Sequence, residues 1–198
     1  INIPGVQNFR DLGGYPSYST KKQMRWGMIY RSAEIDSLEC YSRRELRNLG
    51  IKTLIDLRAS SETGRQSPLQ KEFNVVHIPL ATGDMENILK GIREEKIKSD
   101  TVYRMVEQMN RDLIDKYTTE YRQIFDILLD KNSYPVVIHC SSGKGRTGIV
   151  SALVLAALGI NEDIIMEDYR LSNDYFNIPR ASKYAYRLPT RSQEAITT

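Results

Sequence analysis

Pro135-Val-Val-Ile-His-Cys140-Ser-Ser-Gly-Lys-Gly-Arg146-Thr-Gly-Ile149, continuing as Val-Ser-Ala-Leu-Val-Leu-Ala-Ala-Leu158-Gly159, is the stretch that decides the fold. Its first five residues are a short β-branched run with proline leading, where a missing donor is tolerated, which predicts a buried strand over 135–139. Gly143, Gly145 and Gly148 make the next segment a tight turn, and Ile149 to Leu158 reads as an apolar helix ended by Gly159. Strand, glycine-rich turn and helix in that order aim backbone N–H groups and the positive end of a helix dipole at one small concavity. Such a place favours an oxyanion.

Outward from that centre the chain alternates. Trp26 to Arg31 reads as a strand. Ser42-x-x-Glu45 has the form of a capping box opening a helix that Gly50 closes. Lys52 to Leu57 reads as a buried strand and Val75 to Ile78 as the next strand, stopped by Pro79. Val102, Val106, Met109, Leu113, Tyr117, Tyr121, Ile124 and Leu128 recur at three- and four-residue steps, a helical core stripe with a break placed at Thr118-Thr119. A last helix starts after Asn161 as its N-cap and runs towards Leu171, and Ser192-Gln193-Glu194 suggests a further start. Strands separated by helices predict an α/β fold, a mainly parallel sheet covered on both faces, in a single domain over 1–198.

Composition narrows the function classes. The 198 residues are 40% hydrophobic and 27% charged, which fits one globular domain with a real core. Net charge is only +3, with 28 basic residues interleaved among 25 acidic ones, so no basic stripe argues for nucleic acid. No apolar stretch approaches the roughly 18 residues of a spanning helix, which argues against membrane insertion and leaves association with a membrane surface open. Cys40 and Cys140 are the two cysteines, too few for a disulfide framework or a zinc site, so no metal is expected. The chain starts at Ile1 without a secretory apolar region, which leaves a cytoplasmic or a secreted location with a processed leader.

Two side chains make the anion cradle reactive. Cys140 stands at the strand end on its rim, and Arg146, six residues on, can fold back and present a planar fork to two phosphate oxygens. That field favours the thiolate, a nucleophile for phosphorus. Ser141, Ser142, Gly143, Lys144, Gly145 and Arg146 are the expected phosphate-binding residues. Thr147 is expected to donate its hydroxyl to the sulfur, Lys144 to point a cation over the mouth, and His139 to brace the turn by donating to backbone carbonyls.

Cys140-x5-Arg146-Thr147, preceded by His139, resembles the signature of cysteine-dependent protein tyrosine and dual-specificity phosphatases. Asn8-Phe-Arg-Asp-Leu-Gly-Gly-Tyr15, Ile55-Asp-Leu-Arg58 with Glu62, Tyr121-Arg-Gln123 and Asp168-Tyr-Arg-Leu-Ser-Asn173 resemble the bacterial and fungal NFRDLGG branch. The resemblance implies a four- or five-stranded, mainly parallel sheet flanked by helices. It also implies hydrolysis of phosphoprotein or phosphoinositide monoesters through a phosphocysteine on Cys140, without cofactor. Relatives supply the leaving-group proton from an Asp on a loop after the strand preceding the long helical region. The matching stretch makes Asp84 the leading general acid, with Asp56 second or, on the other reading, a structural carboxylate pairing Arg58. Many members of the branch carry Asp just before the signature Arg; Gly145 stands there here. Arg10 and Asp11 are expected near the site rather than in it.

Gly143-x-Gly145-x-x-Gly148 also matches a dinucleotide fingerprint, but a second helix follows Gly159 where a strand ending in an acid belongs, and Cys140 and Arg146 would be idle. A catalytically silent phospholigand-binding module is the alternative from another class. A redox-sensing thiol would need a resolving cysteine, and only Cys40 is at hand.

Overall fold

Four parallel strands end in one row, and that row positions the site. In the computed structural model, which describes residues 1–36, 38–63, 67–81, 94 and 99–175, the strands are β1 Arg10–Asp11, β2 Ile29–Ser32, β3 Thr53–Asp56, β4 Asn74–His77 and β5 Val136–His139. The helices are α1 Cys40–Asn48, α2 Ser99–Lys116, α3 Thr118–Leu129, α4 Gly145–Ala157 and α5 Glu162–Tyr175. The sheet order is β1-β2-β5-β3-β4, with β1 antiparallel and every other pairing parallel. Ser32, His139, Asp56 and His77 are register partners across it, so the loops after β2, β5, β3 and β4 gather at one edge. In open α/β sheets that carboxyl edge is where ligands bind.

The α/β class and mainly parallel sheet agree with the sequence, and β5 lies in the middle, buried throughout. Its alternation divides the core. Val136 and Ile138 pack with Ile29, Ile55, Leu113, Ile124, Val150 and Val154 on the face covered by α2, α3 and α4. Val137 packs with Tyr30, Leu46, Leu54 and Phe73 on the face covered by α1. A one-residue register slip would exchange these faces, so both cores hold β5 in place.

Several boundaries differ from expectation for identifiable reasons. The helix after the signature begins at Gly145 rather than Ile149, because the Gly148 N–H already closes onto Lys144 O at 2.7 Å. Arg146 and Thr147 therefore ride in the first helical turn. Helix α1 starts at Cys40 with Glu39 as its N-cap, so the Ser42 capping box does not form; the Ser42 hydroxyl donates to Pro4 O instead. The break in the long helical region falls at Tyr117, one residue before the expected place. Asn161 does cap α5, its Oδ1 accepting the Asp163 N–H at 2.8 Å. Asp84 and the start at Ser192 lie outside the described residues. Among the described residues no helix is long and apolar enough to cross a membrane.

Removing three carbons from the centre of this sheet should be felt in full. Ile55→Ala, at a fully buried position, should cost about 2–5 kcal/mol in chemical denaturation. Leu129→Ala, at a side chain 78% exposed, should stay within about 0.5 kcal/mol of the parent.

Candidate active site

The loop after β5 is gripped from behind. Ser141 O accepts the Glu34 N–H at 3.1 Å, and the Asn8 carboxamide Nδ2 donates to Ser142 O at 3.3 Å and Gly143 O at 2.9 Å. Arg31 Nη2 donates to the same Gly143 oxygen at 2.8 Å. A trans peptide points its N–H opposite to its C=O. Holding these three carbonyls therefore turns the amides of Ser142, Gly143 and Lys144 to the other side of the loop. The Gly143 N–H is indeed there, 3.3 Å from Cys140 Sγ. Gly143 itself has φ +71°, and a Cβ would lie 2.5 Å from Ser32 O and 2.6 Å from Ala33 N. Only glycine fits so close to the neighbouring backbone.

The gripping side chains are themselves fixed. Arg31 is fully buried, and its Nη1 donates to Asp168 Oδ2 at 2.5 Å. Asp168 Oδ1 accepts from Arg10 Nε at 3.1 Å and Tyr15 OH at 3.2 Å. Arg10 Nη1 donates to Asn8 Oδ1, and Ser172 Oγ accepts from both arginines. Burial and the neighbouring Arg10 pull the Arg31 guanidinium down to about 10, against the opposing pull of Asp168, and it stays charged at neutral pH. Helix α5 brings Asp168 within reach by lying close to α4, where a Cβ on Gly148 would meet the Tyr169 ring at 2.7 Å.

Arg146 closes the front. Its guanidinium takes Glu62 in a two-pronged pair, Nη1 to Oε2 at 2.5 Å and Nη2 to Oε1 at 2.8 Å, and Nη2 reaches Ser141 Oγ of its own loop at 3.2 Å. Leu57 O and Leu80 O accept from Nη1 more distantly. Among the described residues no hydrogen bond engages Nε, so that N–H is left for a ligand, both Nη2 hydrogens being taken by Glu62 and Ser141. The Glu62 carboxylate also accepts the Ser141 hydroxyl at 2.6 Å. Burial alone would raise Glu62, but the hydrogen bonds from Arg146 and Ser141 outweigh it and hold the carboxyl down to about 2. Cys140 is almost wholly buried, at 1% exposure.

A comparison with known proteins decides what this arrangement belongs to. The profile described as the tyrosine phosphatase family matches residues 1–196. The chain belongs to the tyrosine phosphatase family. It is similar to the triple specificity protein phosphatase PtpB of Mycobacterium tuberculosis, 32% identical over 194 residues, covering 87% of this chain and 68% of that protein. It is also similar to a tyrosine-protein phosphatase of Nostoc commune, 26% identical over 148 residues, covering 73% of this chain and 48% of the relative. The solved Siw14 catalytic core superimposes with a TM-score of 0.46 at 18% identity, covering 85% of this chain and 78% of that one.

Within this family framework several expected contacts are corrected. Lys144 does not point over the mouth: it is 9% exposed, burial lowers its pKa, and Nζ donates to Asn173 Oδ1 of α5 at 2.9 Å. Thr147 Oγ1 is buried without a hydrogen-bond partner and so does not reach the sulfur; its place in the first turn of α4 turns it inward. The His139 ring keeps a backbone hydrogen bond at Cys140, as expected of it, and its Nδ1 lies 3.9 Å from Asp56 Oδ1. Asp56 pairs with Arg58. Burial would raise it, but hydrogen bonds from Arg58 Nε, Nη2 and N–H hold it below the usual range. Arg58 also pairs with Asp36 and, at 3.5 Å, with Glu34. His77 Nε2 lies 2.6 Å from Arg58 O. Among the described residues no group of three or more His, Cys, Asp and Glu side chains is placed to hold a metal ion.

Acid should unfold this protein in two steps of known sign. Burial takes His139 from 6.5 down to about 4 against the Asp56 carboxylate, so its contribution is whole above about 6.5 and is lost as pH falls towards 4. Glu62, taken from 4.5 down to about 2, contributes above about 4.5 and loses that contribution as pH falls towards 2. Urea midpoints measured from pH 7 to 3 should fall through both windows. His139→Asn should flatten the upper window and Glu62→Gln the lower.

Proposed function

We propose that this phosphatase hydrolyses phosphate monoesters of tyrosine and dual-specificity protein substrates through a phosphocysteine on Cys140. The carrying observation is the grip on the Ser141, Ser142 and Gly143 carbonyls, which turns their following amides towards the side where Cys140 Sγ lies. Amides so fixed are electrostatic stabilisers that need no reorganisation when charge develops. Cys140 Sγ attacks phosphorus as the thiolate and the bond from phosphorus to the leaving oxygen breaks. The amides and the free Nε–H of Arg146 hold the equatorial oxygens during transfer. The leaving oxygen takes its proton from an acid, and water then attacks phosphorus, giving that acid its proton back as the S–P bond breaks. Phosphate leaves and the thiolate is regenerated.

Asp84 is the proposed acid. Asp56 is unsuited, since its Arg58 clamp keeps it ionised. The described carboxyl at this edge with the opposite tendency is Glu34, which burial raises against the pull of Arg58, with Asp36, Asp56 and Glu62 adding to the rise. Triple specificity belongs to the name of PtpB and supports a broad substrate range here. Phosphoinositide monoesters are part of that proposed range.

p-Nitrophenyl phosphate should be turned over in EDTA, with vanadate inhibiting. Cys140→Ser should lose at least about a thousandfold in kcat and Arg146→Ala should lose a comparable factor. Asp84→Asn should remove the basic limb of the pH profile with an aryl phosphate of poor leaving group; if the limb survives there and disappears in Glu34→Gln, the acid is Glu34. Tight phosphopeptide binding with no turnover by the parent protein would overturn the enzymatic reading.

A further inference from the structure

We propose that Asn8 is the positioning residue of the phosphate-binding loop: its carboxamide, acting beside Arg31, sets which way the Ser142 and Gly143 peptides face and so how tightly the loop holds a phosphoryl group. The inference rests on the reading above, that this loop receives phosphate monoesters.

Asn8 is 2% exposed and lies 134 residues from Ser142 in sequence. Its backbone is left-handed, with φ 55°, a conformation that asparagine tolerates and most side chains avoid. The segment is tied on both sides: the Asn8 N–H donates to Tyr175 O at 3.0 Å, and Gln7 O accepts the Ala33 N–H at 2.9 Å. The carboxamide has one chemically allowed orientation. Arg10 can only donate, so the amide oxygen must face it, and the carbonyls of Ser142 and Gly143 can only accept, so the amino group must face them. Both ends agree, and neither flip is available without leaving a buried donor against a donor.

That arrangement transmits orientation. The two carbonyls cannot rotate inward without losing Asn8, and Gly143 O would also lose the fully buried Arg31. Glycine at 143 offers no resistance of its own to such a rotation. The neighbours of Asn8 carry two arginines, Arg10 and Arg31, against one carboxylate, Asp168, which leaves positive charge behind the loop. An aspartate at position 8 would retain the left-handed backbone and the Arg10 contact while presenting an acceptor to two acceptors and cancelling that charge. A glycine would retain the backbone and remove the grip alone, leaving Gly143 O to Arg31.

The experiment measures inorganic phosphate as a competitive inhibitor of p-nitrophenyl phosphate turnover, with KM, kcat and the thermal midpoint, in the parent, Asn8→Gly and Asn8→Asp. The phosphate Ki and KM should rise about tenfold in Asn8→Gly and further in Asn8→Asp, in that order, while Asn8→Asp, with its Arg10 pair, melts near the parent. A lowered midpoint with unchanged Ki in the folded variants would make Asn8 a purely structural residue and overturn the proposal. Failure of both variants to fold would overturn it too. Cys140→Ser separates the two layers: activity retained there defeats the phosphatase reading, whereas an inactive Cys140→Ser beside an unchanged Ki in Asn8→Asp defeats the Asn8 inference alone.

Discussion

The hydrogen bonds that Asn8, Arg31 and the Glu34 amide make to the carbonyls of residues 141–143 are the constraint on which the rest depends. A peptide unit is a dipole, and a turn made of Ser-Ser-Gly-Lys-Gly can present either end of it to a ligand. Glycine allows both, so the choice has to come from donors outside the loop. Those donors are buried, and a buried guanidinium needs a carboxylate partner or it is strongly unfavourable. Asp168 supplies it for Arg31 and Arg10 together. Asp168 sits on α5, and α5 reaches the network only because Gly148 lets Tyr169 lie against α4. The chemistry of one five-residue turn thus depends on a chain of contacts running from residue 8 to residue 172.

A second shell of charge works at the front of the loop in the opposite way. Arg58 gathers Asp56, Asp36 and Glu34, and Arg146 takes Glu62, so each arginine at this edge is matched by carboxylates. Arg58 is spent on structure, since Asp56 occupies Nε and Nη2. Arg146 differs because Glu62 engages its outer nitrogens and leaves the Nε–H. Glu62 therefore orients the guanidinium and keeps it charged and in place, where an unpaired arginine on the first turn of α4 could swing into solvent.

Much of this was legible in the sequence, for reasons that differ by element. The strand, turn and helix around Cys140 were readable because strong local signals coincide there: a β-branched run, three glycines and a largely apolar run. Cys140 and Arg146 followed because their spacing is local and the helix fixes their relation. The roles of Asn8, Arg31 and Asp168 were hidden because their contacts span more than a hundred residues. The motifs containing Asn8 and Asp168 were visible, but nothing local says that they meet behind the loop. An arginine inside an otherwise apolar strand, Ile29-Tyr-Arg-Ser32, was the one signal that could have pointed there, since such a charge needs a buried partner. Lys144 and Thr147 were misplaced for a related reason: their direction is set by how α4 begins, four residues earlier than the apolar run suggests.

The proton needed by the departing oxygen separates the carboxyls at this edge by their neighbours. Proximity to the loop is not enough, because the arginines that build the site also ionise the acids beside them. Asp56 and Glu62 are held low by Arg58 and Arg146, and His139 is kept neutral by burial, with its charged form too costly above about 4. None of the three can carry a transferable proton at neutral pH. A working acid has to stand apart from both arginines or in a place where desolvation overrides them. Glu34 meets the second condition in part: its backbone N–H grips Ser141 O while burial and three neighbouring carboxylates outweigh an Arg58 contact of 3.5 Å. The same electrostatics that makes the loop a good receiver of phosphate thus dictates that its proton come from outside the arginine-bound ring.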